Sequence, residues 1–136
     1  MTHDRATDAP FLGVGVGLRP GHYPHVLAAA DPALLGVDFF EAISENYMVP
    51  GGRPPRVLES VRNSFPIALH GVSLNIGSSD PLDADYLDRL DALARRFAPA
   101  WLSDHLCWTG VNGRNLHDLL PLPLTESALH HVVERV

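Results

Sequence analysis

Four times along the chain, a short run of branched or aromatic apolar residues gives way to a stretch with helical spacing. The runs are Phe11–Leu18, Asp38–Ile43, Pro66–Val72 and Pro99–Trp108. The first alternates Gly with branched residues, which is strand periodicity. The others are short and rich in apolar residues, as strands covered on both faces are. Helical spacing follows at His25–Leu35 before Gly36, at Val57, Leu58, Val61 and Phe65, and at Leu87, Leu90, Leu93 and Phe97. It returns at Leu129, Val132, Val133 and Val136, behind a Thr125 cap. Such alternation predicts an α/β fold with a parallel sheet and right-handed crossovers. Four consecutive β-α units amount to the N-terminal half of a TIM barrel of ~250 residues. A four-stranded open sheet is the other architecture that fits. The expected domain is a single one over residues 1–136, with residues 1–10 a disordered arm.

Between these elements, Pro50–Pro55 reads as a loop, as does the long segment Thr109–Pro123. Asp80–Pro81 resembles an N-cap followed by proline at the first helical position. Gly13, Gly15 and Gly17 share one strand face, which must meet close neighbours or leave room for something. They are not a dinucleotide fingerprint, because Leu18 or Pro20 falls where the last glycine is required.

The net charge of −6, with no basic cluster larger than Arg95–Arg96, argues against a nucleic-acid partner. The single cysteine excludes an internal disulfide framework and fits a reducing compartment. No apolar run approaches membrane-spanning length, and the N-terminus lacks the pattern of a signal peptide. A cytoplasmic protein with no membrane partner is expected.

In a parallel α/β fold the C-terminal strand ends form one rim, where active sites sit. Glu45 and Asn46 follow the second strand, His70 closes the third, and Asp104 and His105 lie within the fourth. Neutral imidazole with carboxylate oxygen suits Fe, Mn or Zn. If residues 99–108 form one strand, Ser103, His105 and Cys107 share a face. Each residue also has a structural reading. His70 would be a hydrogen-bonded core residue, Asp104 would orient an imidazole or cap a loop, and Glu45 and Asn46 would tie down the chain to Tyr47. Cys107 reads as a small buried hydrophobe, and Trp101 and Trp108 as packing. His117, His130 and His131 read as loop and solvated-helix residues, and Gly71 as a turn former that leaves room for a ligand beside His70.

Five strings in order carry a resemblance: Gly13–Arg19, Phe39–Met48, Leu69–Val72, Ser103–Trp108 and Asp118–Pro123. They resemble the multinuclear non-heme iron-dependent oxidative enzymes, a family that includes the methanobactin-biosynthesis oxidase. The resemblance implies a xylose-isomerase-like TIM barrel with two or three irons at its C-terminal rim. It implies oxidation of cysteine in a ribosomally made precursor peptide using O₂, often with a partner protein that grips the leader segment. By position, His70 and His105 match iron-binding histidines of the family. Glu45 and Asn46 match its Ser-Glu-Asn motif, and Asp104 flanks a ligand. Members are about twice this long, as a full barrel of ~250 residues requires. One iron or none is therefore expected on this chain, with a second half-barrel chain or self-association closing the cylinder. Two other functions compete: a non-catalytic remnant or interaction module, and another divalent-metal TIM-barrel enzyme of isomerase type.

Overall fold

A computed structural model describes residues 11–136; the arm expected over residues 1–10 lies outside the described residues. Strands β1 (Gly15–Gly17), β2 (Phe39–Ile43), β3 (Ile67–Gly71) and β4 (Trp101–Asp104) form one parallel sheet in the order β1-β2-β3-β4. Helices α1 (Tyr23–Ala28), α2 (Arg53–Arg62), α3 (Ala84–Phe97) and α4 (Glu126–Val133) follow the strands in turn. Four sequential parallel strands, each followed by a helix, are the first half of a TIM barrel. No helix among the described residues is long and apolar enough to cross a membrane.

Strand alternation decides where the core lies. Phe40, Ala42, Ile67 and Leu69 are buried on one sheet face, with Val57, Leu58 and Val61 of α2 and Leu93 and Phe97 of α3 in the same cluster. The opposite face carries Phe39, Glu41, Ile43, His70, Trp101 and Ser103, all only half-buried. There Phe39 and Trp101 meet edge to face at 5.3 Å. The glycine face of β1 is close-packed: a Cβ on Gly15 would stand 2.5 Å from the Phe39 ring.

Five local expectations are corrected. The helix expected over His25–Leu35 is two pieces, α1 and a 3₁₀ turn at Pro32–Leu35, because Pro32 donates no hydrogen bond and forces Asp31 into extended backbone. Helix α2 begins at Arg53, inside the expected loop, since prolines fit a first turn whose N–H groups need no partner. The cap of α3 is Asp83, whose side chain accepts from the Tyr86 N–H at 3.1 Å. Asp80 instead accepts from the Asn112 and Gly113 N–H groups at 2.9 and 3.0 Å.

The run 99–108 is not one strand. β4 ends at Asp104, which turns the chain by accepting the His105 N–H at 2.7 Å, so Cys107 leaves the sheet that holds Ser103. The expected loop 109–123 is a hairpin of β5 (Cys107–Val111) and β6 (Arg114–Pro121). Asn112 and Gly113 join the two strands with φ of 53° and 68°, the two-residue turn that Asn-Gly favours. The expected cap at Thr125 is present, accepting from the Ala128 N–H at 3.3 Å.

Candidate functional site

Parallel register places the polar residues. Ile43 pairs with His70, His70 with Ser103, and Gly71 with Asp104, so the ends of β2, β3 and β4 are level. Beyond Ile43 a 3₁₀ turn, Ser44–Asn46, carries Glu45 to the same level. Its Oε1 accepts from the Val72 N–H and from the Tyr86 hydroxyl, each at 2.8 Å. Asn46, in the same turn, is exposed and does not join this group.

The rings of His70 and His105 lie 4.6 Å apart, tilted by 56°. Nδ1 of His70 is 2.9 Å from Ser103 Oγ. Nδ1 of His105 is 3.2 Å from the Gly71 carbonyl oxygen, which only accepts. The proton of a neutral His105 therefore sits on Nδ1, leaving the Nε2 lone pair open to a ligand.

Two carboxylates lie at the same strand ends, with Asp104 on the Gly71 side of the sheet and so opposite His70. Glu45 Oε2 and Asp104 Oδ2 are buried without a hydrogen-bond partner. Burial pushes the Asp104 carboxyl above the usual carboxylate range; the His105 N–H opposes the rise, nearby Glu45 adds to it, and the Leu74 backbone opposes it more weakly. The chain contains no lysine, and the ion pairs among the described residues, Arg95–Asp91 and Arg96–Glu59, lie elsewhere. A buried carboxylate oxygen with no donor is costly unless a proton or a cation compensates it. Imidazole and carboxylate are donor types that a divalent metal accepts. Among the described residues, no three His, Cys, Asp or Glu side chains form a group that could hold a metal by themselves.

Gly71 is a seat and not a turn. A Cβ there would stand 2.1 Å from Asp104 Oδ2 and 3.0 Å from the Tyr86 hydroxyl. Beside this level, an open pocket of about 280 Å³ is lined by Val72, Ser73, Thr109, Asn115, His117, Asp118 and Leu119. His117 thus faces a pocket. His131, expected to be solvated, reaches the Ser78 carbonyl at 2.7 Å. Cys107 is buried as expected, and desolvation raises its thiol. Trp108 braces the hairpin through the Pro121 carbonyl.

Tyr86 and the hairpin are the parts sequence reading misses. Asn112–Gly113 signals the hairpin. Nothing local signals Tyr86, because its partner Glu45 lies 41 residues upstream.

Residues 13–136 match the family model described as the RiPP precursor modification enzyme MbnB/TglH/ChrH, RiPPs being ribosomally made, post-translationally modified peptides. The chain is 58% identical over 120 residues to a UPF0276 protein of Caulobacter vibrioides, covering 88% of this chain and 42% of that protein. It is 58% identical over 125 residues to a UPF0276 protein of Anaeromyxobacter sp., covering 92% and 43%. A UPF0276 protein of Paraburkholderia phytofirmans is 40% identical over 132 residues, covering 97% and 41%. The chain therefore spans about two fifths of the length of these relatives. It belongs to the MbnB/TglH/ChrH family of RiPP precursor modification enzymes.

Proposed function

We propose that this chain supplies the first half of the rim of an iron-dependent enzyme that uses O₂ to oxidise a cysteine in a ribosomally made precursor peptide. The observation that supports this reading is the pair of imidazoles, His70 and His105, 4.6 Å apart at level strand ends. His70 and His105 would hold the metal, with Glu45 and Asp104 lending carboxylate charge. Iron, when bound, would supply an open position for the substrate thiolate and for O₂ activation.

The residues themselves do the positioning. The Gly71 carbonyl fixes the tautomer of His105, and Ser103 orients His70. Among the described residues, no Arg forms an ion pair with either carboxylate. Phe39 and Trp101 add apolar surface to the sheet face that carries His70. The pocket between Val72–Ser73 and Asn115–Leu119, just past the end of β3, is where a peptide segment would lie. The remaining ligands would come from the other half of the barrel, and a separate protein would hold the leader. The setting would be the cytoplasm.

Anaerobic Fe(II) loading of the wild-type chain and of a His70→Ala/His105→Ala variant tests this reading. Wild type is expected to retain up to one iron per chain and the variant none. Equal iron in both overturns the proposal.

A further inference from the structure

The segment Val72–Leu74 follows β3 and lies outside any helix or strand. Val72 and Ser73 form one wall of the open pocket, and the hairpin forms the other through Thr109, Asn115, His117 and Asp118. No regular ladder fixes such a backbone, so its N–H groups need partners from elsewhere. Three buried or half-buried side chains stand behind it, each from a different element. Glu45 comes from the turn after β2, Tyr86 from the first turn of α3 and Asp104 from the end of β4. They gather on the helix side of the sheet: the Tyr86 hydroxyl and Asp104 Oδ2 both lie within 3.0 Å of the point where a Cβ on Gly71 would stand.

The three meet the segment in chain order. Glu45 Oε1 accepts from the Val72 N–H at 2.8 Å. The Tyr86 hydroxyl donates to that same oxygen at 2.8 Å, and its own oxygen faces the Ser73 N–H. The Asp104 carboxyl, whose Oδ1 takes the His105 N–H, faces the Leu74 N–H. Burial first, and then the bond to Glu45, keep the phenol protonated well above its ordinary range, so it stays a donor to Glu45. A phenylalanine would fill the same space without the cost of burying a hydroxyl, so packing alone does not call for Tyr86.

We propose that Glu45, Tyr86 and Asp104 are positioning residues for the pocket: from the helix side of the sheet they grip the Val72–Leu74 backbone and so fix the wall against which a peptide segment would lie. The grip needs no metal; its use rests on the reading of this pocket as the peptide's seat. The carboxylates work here as hydrogen-bond acceptors. Glu45→Gln keeps an acceptor oxygen, and Glu45→Ala removes it.

The test uses metal-free protein. Exchange of the Val72 amide, followed by NMR, is expected to be about tenfold faster in Glu45→Ala and in Tyr86→Phe, with melting temperatures within a few degrees of wild type. Glu45→Gln is expected to restore slow exchange. The amide signals of Thr109 and Asn115, across the pocket, are expected to move in Glu45→Ala and to return in Glu45→Gln. Val72 exchange as slow in Glu45→Ala as in wild type overturns the proposal. So does exchange accelerated equally throughout β2 and β3, which is a general loss of stability and not a lost grip.

The seat is tested separately with a capped pentapeptide carrying one cysteine between glycines. It is expected to shift the Thr109 and Asn115 signals of wild type and not those of Glu45→Ala; equal shifts in both overturn the proposal. If it moves neither signal in wild type, the reading of the pocket as a seat falls, and Val72 exchange still decides the grip.

Discussion

The Gly71 backbone serves three neighbours. Its carbonyl fixes a histidine tautomer, its register places Asp104, and its bare α-carbon leaves the space in which two polar side chains sit. A different economy operates at Asp80, whose two carboxylate oxygens take two consecutive N–H groups of the Asn112–Gly113 turn. The Gly113 and Asn112 bonds hold this carboxyl below the usual carboxylate range, with Arg135 helping. A folded-state pKa below the unfolded value gives stability that is present above the unfolded value of about 3.9 and lost as pH falls through the folded one. Asp80→Asn is therefore expected to be less stable than wild type at pH 7. The two should converge below about pH 3.9, which urea melts across a pH series would check. A gap that persists undiminished at low pH would assign the effect to shape and not to charge.

Among whole elements, α2 and α3 are held by what they bury. Leu58 is fully buried between α2 and the sheet, and Phe97 closes α3 the same way. The Arg62 side chain reaches the Phe97 carbonyl, tying the end of α2 to the end of α3. Leu58→Ala is expected to cost about 2–5 kcal/mol in chemical denaturation, the range for a buried leucine whose site collapses only partly. A cost below about 1 kcal/mol would mean that the core repacks freely. The hairpin is held differently. Its turn rests on Asp80, and Arg135 of the chain end reaches the Ser78 and Asp80 carbonyls, so α4 and the hairpin share an anchor. The Asn75 side chain bonds to Thr109 and Gly110 of β5. The hairpin hides from sequence reading because β6 is exposed on nearly its whole length. Without a buried face there is no apolar alternation to see.

At the scale of the molecule, four parallel strands leave β1 and β4 as edges. Leu102 on β4 is 40% exposed and Leu106 just beyond it 67%. An apolar groove of about 430 Å³ runs between Leu106, Leu122, Leu124, Leu129 and Val132. Apolar surface of this kind favours association when nothing covers it. The purified chain is expected to sediment as a concentration-dependent mixture. Leu106→Glu/Leu129→Glu is expected to shift it toward monomer with little change in melting temperature. A strictly monomeric wild type at tens of micromolar would contradict this.

The order and kind of the main elements lay in the sequence, because strand and helix periods are local properties that a few residues reveal. His70 and His105 were legible for the same reason: polar residues inside apolar runs stand out, and parallel strands bring their ends level. What the sequence could not decide was how separate segments meet. The split of residues 99–108 depends on Asp104 capping its own successor, and the displaced cap at Asp80 depends on a turn 32 residues away. The bond from Tyr86 to Glu45 exists only once α3 has packed on the sheet. Contacts between distant residues follow from packing in three dimensions, and no local period encodes them.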